Sequence, residues 1–536
     1  MLSLVEIVAA ICLVWVSSVV VVQGIGVAAI FRYFSKPGRP SVSATLGKNA
    51  PSVTIIRPVK GLEPLLYECI ASTFRQTYPA DKISIRLCVE DETDPAYPVL
   101  QQLVHDFPNH DAQILIETSD PFLYGSEGRA DNVGPNPKIR NLSRAYREAK
   151  GDLVWIIDCN VWVAKGVLGR MVDKLMGFAP AGQTAEPYKF VHQMPIVVDV
   201  AEYGSPGVED SQVKSSPASE AQAIPGAAED LSDDSLLTKI VRQGGGRLDE
   251  MFFATSHAKF YGAINTVGVA PCIVGKSNMF RKAHLDQATS PLTNPILLKT
   301  DNKGMGVDYF SYCICEDHLI GDLLWRTNIP GHRNHGMAQD LVLQPLKSMS
   351  ITSYAARRCR WLRARKYTVL VATLLEPGVE SLVCCAYFAF ALTTLSWFHE
   401  KLGIPQTWSS MGFIWLVAVA SWMFLDWQTF QHLHSGESIE PDSDSPRFAR
   451  GTCRPDGMPK RVFWEWCLAW VGREVMALPV WTRAVWCGAT VRWRGKTFRV
   501  YADSSVEGLD DGRTARKSLG APQAERARQS SKDRLD

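Results

Sequence analysis

The sequence has almost no excess charge: 57 Lys and Arg stand against 55 Asp and Glu, leaving +2 at pH 7. So balanced a chain has no global electrostatic footprint for nucleic acid. Its 13 cysteines include no CxxC pair, and several lie in apolar runs, which speaks against a disulfide framework or a structural zinc site. After the first strand-like run, Val53–Pro58, the chain has Lys60-Gly61 and no GxGxxG. The dinucleotide-binding fingerprint of an oxidoreductase is therefore missing. No Lys or Arg precedes the first apolar stretch, residues 7–31, so it lacks the basic start of a secretory leader. That stretch is long enough to span a bilayer. Arg32, Lys36 and Arg39 follow it, which places its C-terminal side in the cytosol by the positive-inside rule.

A chain of 536 residues can bury one sizeable catalytic core and still carry membrane segments. Between residues 50 and 200, apolar runs alternate with amphipathic stretches. Val53–Pro58, Ile83–Val89, Ala112–Glu117, Leu153–Ile157 and Phe190–Val198 read as strands. Pro64–Arg75, Pro95–Phe107 and Pro137–Lys150 read as helices with proline near the first turn. This rhythm predicts an α/β fold with a doubly wound, mostly parallel sheet. Ligands of such sheets bind beyond the carboxyl ends of the strands, so Asp91 and Asp158, both at strand ends, should face one crevice. Residues 203–240, acidic and poor in aromatics, read as a disordered insertion; 286–304 read as a second, and 501–536 as a disordered tail. The predicted division is an N-terminal anchor over 1–34, a cytosolic catalytic domain over 50–366, a membrane region over 367–500, and the tail.

Within the membrane region, Val379–Phe398 and Met411–Phe430 are long enough to be transmembrane helices. Most of the 16 Trp follow residue 360, as expected of interfacial anchoring. Residues 462–490 carry Glu465, Arg473, Glu474 and Arg483, which are costly in lipid, so they read as interfacial, re-entrant, or a pair of short spans. Arg492, Arg494, Lys496 and Arg499 favour return to the cytosolic side.

The residues able to do chemistry come in a telling order. Asp91 closes Cys88-Val89-Glu90-Asp91, where a carboxylate can accept from a nucleobase or ribose; a solvated acidic loop is the plain alternative. Asn136-Pro137-Lys138 opens a helix and offers an anion site, or simply a surface lysine. Asp158 and Asn160 stand two apart beyond an apolar strand, so both can face one cation, Mg2+ or Mn2+; otherwise Asp158 caps a helix near Gly166. Gly275-Lys276-Ser277-Asn278 is a strand–turn that permits close approach of a sugar. Asp317 suits a general base in a dry crevice, with Glu316 its competitor and an N-cap of Leu319–Trp325 its plainer role. Arg357 and Arg360 share a helix face ahead of Trp361 and can hold a leaving diphosphate; the plainer reading is a positive-inside stretch at a membrane entry. Base, phosphate-binding cations and membrane thus succeed one another along the chain, as suits transfer of a phosphate-activated group to a lipid-side acceptor.

Taken together these motifs resemble the membrane-bound inverting glycosyltransferases of GT-A fold, and within them the ceramide glucosyltransferase family, fungal branch. The carrying residues are Pro58-Val59-Lys60-Gly61, Cys88-Val89-Glu90-Asp91 with Asp94-Pro95, Asn136-Pro137-Lys138-Ile139 and Asp158. They continue with Ala254-Thr255-Ser256-His257-Ala258-Lys259-Phe260-Tyr261, Glu316-Asp317 and Arg357-x-x-Arg360-Trp361. The resemblance implies transfer of glucose from UDP-glucose to ceramide by a multi-pass protein of the Golgi or endoplasmic reticulum. It implies Asp91 on the uridine, Asp158 on metal and diphosphate, Asp317 as base, His257 beside the sugar or acceptor, and Arg357, Arg360 and Trp361 as a product-side cluster. The chain departs from the general pattern twice: Asp158-Cys159-Asn160 stands where DxD is usual, and Arg357 where Gln begins the Arg-Trp motif. The rival readings are a processive polysaccharide synthase, for which two clear spans after the catalytic domain are too few, and an inactive membrane scaffold.

Overall fold

The computed structural model describes residues 3–124, 133–201, 236–294 and 304–509. Its centre is a seven-stranded sheet of order β3-β2-β1-β4-β6-β5-β7. The strands are β1 (Val53–Pro58), β2 (Ile83–Val89), β3 (Asp111–Ile116), β4 (Leu153–Ile157), β5 (Tyr188–Asp199), β6 (Ser277–Arg281) and β7 (Arg333–Leu346). Only β6 runs against the others, pairing antiparallel with both β4 and β5. The strands are buried along nearly their whole length at β1, β2, β4 and β5, as a sheet covered on both faces requires. Helices Leu66–Phe74, Tyr97–Asp106 and Pro137–Arg147 stand where the proline-led stretches predicted them.

Parallel pairing sets Pro58 beside Cys88 and Ile56 beside Ile156. The carboxyl ends of β1, β2 and β4 therefore share one edge, and the loops leaving these three strands face one crevice. A second sheet, β8 (Thr490–Trp493), β9 (Lys496–Val500) and β10 (Val506–Gly508), is antiparallel throughout.

Helices Leu4–Tyr33 and Trp408–His434 are long and apolar enough to cross a membrane; Leu370–Val379 with Ser381–Thr394 would be a third, bent by 67°. The expected span Val379–Phe398 is shorter than predicted: its helix is Ser381–Thr394 and ends at Leu395. Residues 462–490 form one helix, Phe463–Trp486, with Pro479 inside it. Its charges are met internally: Arg473 lies 2.6 Å from Glu380 and pairs with Glu474.

Three boundaries differ from expectation. Most of the 203–240 insertion lies outside the described residues, but helix Leu236–Gln243 takes up its end. Of 286–304, residues 295–303 lie outside them, whereas Asp286 sits in the helix Lys282–Thr289 and accepts from the Tyr146 hydroxyl at 2.6 Å. Of the tail, 510–536 lie outside, and β10 belongs to the folded domain.

Candidate active site

The helix Pro137–Arg147 begins at the crevice because Asn136 caps it, its Oδ1 accepting from the backbone of Lys138 (2.8 Å) and Ile139 (3.1 Å). Asn136 Nδ2 also donates to Cys313 O at 2.5 Å and Glu316 Oε2 at 3.2 Å. One side chain thus starts that helix and fixes the loop ahead of the helix Glu316–Arg326. Lys138 Nζ then meets three carboxylates from two segments: Asp317 Oδ2 at 3.0 Å, Asp158 Oδ1 at 3.2 Å and Glu316 Oε1 at 3.2 Å.

The two adjacent acids are not equivalent. The Glu316 side chain is 3% exposed and that of Asp317 18%. Burial, then the neighbouring Asp317 charge, pushes the Glu316 carboxyl up to about 8, against the pull of Lys138. Glu316 is accordingly a neutral, inward member of the cluster near pH 7, and Asp317 is the carboxylate that opens on the crevice. Neither caps its helix; the cap position is Cys315. Gly275 lies against Asp317, so that any side chain there would have to displace the carboxylate.

Asp158 comes directly after β4. Burial would raise its carboxyl, but Lys138 and Lys276 outweigh burial and hold it down at about 2. Lys276 reaches it because antiparallel pairing sets Ser277 opposite Ile157. Its Nζ lies 3.1 Å from Asp158 Oδ2 and 3.2 Å from Asn160 Oδ1. Where Mg2+ or Mn2+ is expected between Asp158 and Asn160, the cation between these oxygens is the Lys276 ammonium. Among the described residues no three of His, Cys, Asp or Glu stand together as metal ligands, so a divalent ion beside Asp158 would take most of its oxygens from a bound diphosphate. Arg57, which no sequence motif singles out, fixes this turn from below. It is fully buried on β1 and donates to Asp158 O (2.6 Å), Val161 O (3.1 Å) and Cys69 O (2.8 Å).

Asp91 stands two residues beyond β2, outside the Lys138 cluster. Its Oδ1 accepts from Thr93 N at 2.7 Å and from the Thr93 hydroxyl, and these bonds lower its pKa. The buried acid of this segment is Asp94, which accepts from Gly61 N at 2.9 Å and Ala96 N at 3.0 Å.

The helix Ile351–Arg365 carries the Arg-Trp motif. Arg357 is not free for a ligand: it donates to Gln344 Oε1 at 3.2 Å and lies 3.4 Å from the buried Asp249. It also stacks over Trp361 at 4.6 Å. Arg360 has no hydrogen-bond or ion-pair partner among the described residues. Burial, then Arg357 and Arg494, lower its pKa to about 10, while Glu63 and Asp158 act in the opposite sense.

His257 ends a π-helical turn, Phe253–His257. It stacks on Tyr261 at 5.2 Å and lies 4.8 Å from Phe253, which packs edge-on against Trp361. Burial, then Arg358 and Arg365, lower its pKa to about 3. It is a neutral ring in an aromatic cluster, and the structure does not bring it among the carboxylates. Two residues on, the buried Lys259 pairs with Asp426 of the helix Trp408–His434. Lys259, near the end of the Thr-Ser-His run, thus ties the catalytic part to that helix, a role invisible without the partner. Beside the Arg-Trp helix, a cavity of about 350 Å3 is lined by Tyr354, Leu362, Leu382, Val480, Trp481 and the Arg473 ion group.

Residues 14–205 and 234–506 match the sequence profile of glycosyl transferase family 21. The chain belongs to that family. This family 21 enzyme is 54% identical over 514 residues to a ceramide glucosyltransferase of Pyricularia oryzae, covering 95% of this chain and 96% of that one. It is 50% identical, over the full length of both, to a ceramide glucosyltransferase of Gibberella zeae, and 34% identical to one from Candida albicans, covering 85% and 87%. Among solved structures, the mannosyltransferase PcManGT from Pyrobaculum calidifontis, in complex with GDP-Man and Mn2+, matches 80% of the family 21 chain and 98% of its own. The identity is 14% and the TM-score 0.37.

Proposed function

We propose that this glycosyltransferase moves glucose from UDP-glucose to the primary hydroxyl of ceramide with inversion, giving β-glucosylceramide and UDP. The single observation that carries the mechanism is the Asp317 carboxylate, opening on the crevice 3.0 Å from Lys138. The near-full-length likeness to ceramide glucosyltransferases supports the substrates.

In this reading the ceramide hydroxyl gives its proton to Asp317 as its oxygen bonds to the anomeric carbon. The bond from that carbon to the diphosphate oxygen breaks on the opposite face, and UDP leaves. Lys138 orients Asp317 and Asp158 without consuming the charge of either. With Glu316 neutral, two ammoniums face two carboxylates, so the cluster adds no net repulsion toward a diphosphate. Arg360 supplies the unpaired positive charge that the leaving group needs. Arg357, held by Asp249, positions Trp361. Asp91 receives the uridine end of the donor. His257, with Phe253 and Trp361, shapes the apolar wall toward the acceptor. The 350 Å3 cavity beside this wall suits a hydrocarbon chain. The bases after the first span support a cytosolic catalytic domain on a Golgi or endoplasmic reticulum membrane.

The test is to incubate membranes containing the protein with ceramide and labelled UDP-glucose or UDP-galactose, then identify the lipid. Labelled β-glucosylceramide is expected. A polymer, a galactolipid or no lipid product overturns the reading.

A further inference from the structure

The small sheet β8–β10 comes about 130 residues after the Arg-Trp motif, beyond the membrane helices, yet it is fastened to the catalytic crevice on three sides. Val506 N donates to Tyr312 O at 2.8 Å, and Ser505 bridges to Cys313, in the loop just ahead of Glu316 and Asp317. Lys496 Nζ lies 3.7 Å from Glu90 Oε1, at the end of β2. Arg363, on the Arg-Trp helix, donates to Thr490 O at 2.9 Å, to Arg483 O at 3.2 Å and to Cys487 O. The sheet therefore touches the β2 end, the base loop and the arginine helix at once.

Its hairpin turn is Arg494-Gly495, with φ of +49° and +81°. Two-residue turns of this kind favour Asn, Asp or Gly, because a side chain at positive φ is strained. Arginine at the first position is not explained by the turn, and strained residues of this sort gather at functional sites. Nor is it explained by a partner: Arg494 has no ion pair among the described residues, and its only ring contact is Trp493 at 5.7 Å. Its charge is felt at Arg360, at Cys88 in β2 and at Cys159 beside Asp158. Arg494 and Arg360, neither with a carboxylate partner among the described residues, are therefore near enough to interact as like charges, and an anion between them would relieve that repulsion.

We infer that Arg494 is a cation of the diphosphate site, delivered by the C-terminal hairpin to act with Arg360 on the donor's nucleoside diphosphate. The inference rests on the nucleotide-sugar reading above. It makes the C-terminal sheet part of the active site, so the site is complete only when the chain has returned from the membrane and closed over its own crevice.

The test uses the purified full-length protein in detergent, with equilibrium binding of UDP and of uridine as probes. Arg494→Gly removes the charge and suits the positive φ, so unfolding temperature should not fall. Its Kd for UDP should rise about tenfold or more, with uridine affinity unchanged, and Arg494→Lys should lose less. UDP affinity in Arg494→Gly within twofold of wild type overturns the inference alone. Equal losses for UDP and uridine also overturn it, since they mark a structural role. Failure of the wild-type protein to bind UDP at all overturns the nucleotide-sugar reading, and this inference with it.

Discussion

A Cβ on residue 275 would fall 1.8 Å from Asp317 Oδ2 and 2.5 Å from its Cγ. Only glycine lets the segment leading into β6 lie against the carboxylate, and its backbone is not in the left-handed region. Gly275→Ala should therefore act through Asp317, pushing it off Lys138. Displacement of a reacting group by about 1 Å can cost on the order of 100-fold in rate. Turnover should fall by about that factor, with UDP binding and unfolding temperature near wild type. Unchanged turnover would show that the position of Asp317 does not matter.

Glu316 makes stability depend on pH. Its carboxyl sits near 4.5 in the unfolded chain and is raised to about 8 in the fold. The folded state therefore holds the proton more tightly. This contribution is fully present below about pH 4.5 and is lost as pH rises toward 8, by up to about 1.4 kcal/mol per pH unit. Glu316→Gln cannot titrate, so its unfolding temperature should gain on wild type steadily between pH 5 and 8. A constant difference across that range would mean that Glu316 titrates normally.

Lys259 and Asp426 join the catalytic domain to a membrane-type helix through a buried pair that also receives Trp470 Nε1 at 2.9 Å. Breaking one side of a buried pair costs about 3–5 kcal/mol, whereas replacing both with apolar residues costs far less. Lys259→Met and Asp426→Leu should each lower the unfolding temperature sharply, and the double variant should recover most of the loss. Additive losses would show that the pair is not coupled.

Lys276 fills the position between Asp158 and Asn160 that a cation would take. Lys276→Ser frees two oxygens on one face, and they can then accept a hard divalent ion. UDP binding by this variant should be weak without metal and recover as Mn2+ is titrated in, more steeply than in wild type. An identical Mn2+ response in both proteins, read by calorimetry, would contradict the role of the lysine.

These roles are unevenly legible in the sequence. β1, β2 and β4 are apolar runs with clear ends, so their bounds, and the crevice carrying Asp158, can be read directly. β7 begins Arg333-Asn334-His335 and β6 holds Ser277, Asn278 and Arg281, so β6 and the first half of β7 lack a strand's apolar signature. Without the antiparallel β6, nothing places Lys276 beside Asp158. The alternating charges of β8 and β9 mimic a basic tail because their outer face is solvated. Arg57 looks like the end of a strand, since its three carbonyl partners, Cys69, Asp158 and Val161, lie in two segments distant from it in sequence. The contrast between Arg357 and Arg360 depends on Asp249, more than 100 residues upstream.

The central claim is that Asp317 takes the acceptor's proton. Its most direct test compares Asp317→Asn with wild type for UDP-glucose binding and for transfer to ceramide in the same membranes. The variant keeps the side-chain shape but has no basic carboxylate. Donor binding should stay within a few-fold of wild type while transfer falls by about 1,000-fold or more. Transfer at the wild-type rate in Asp317→Asn would contradict the account.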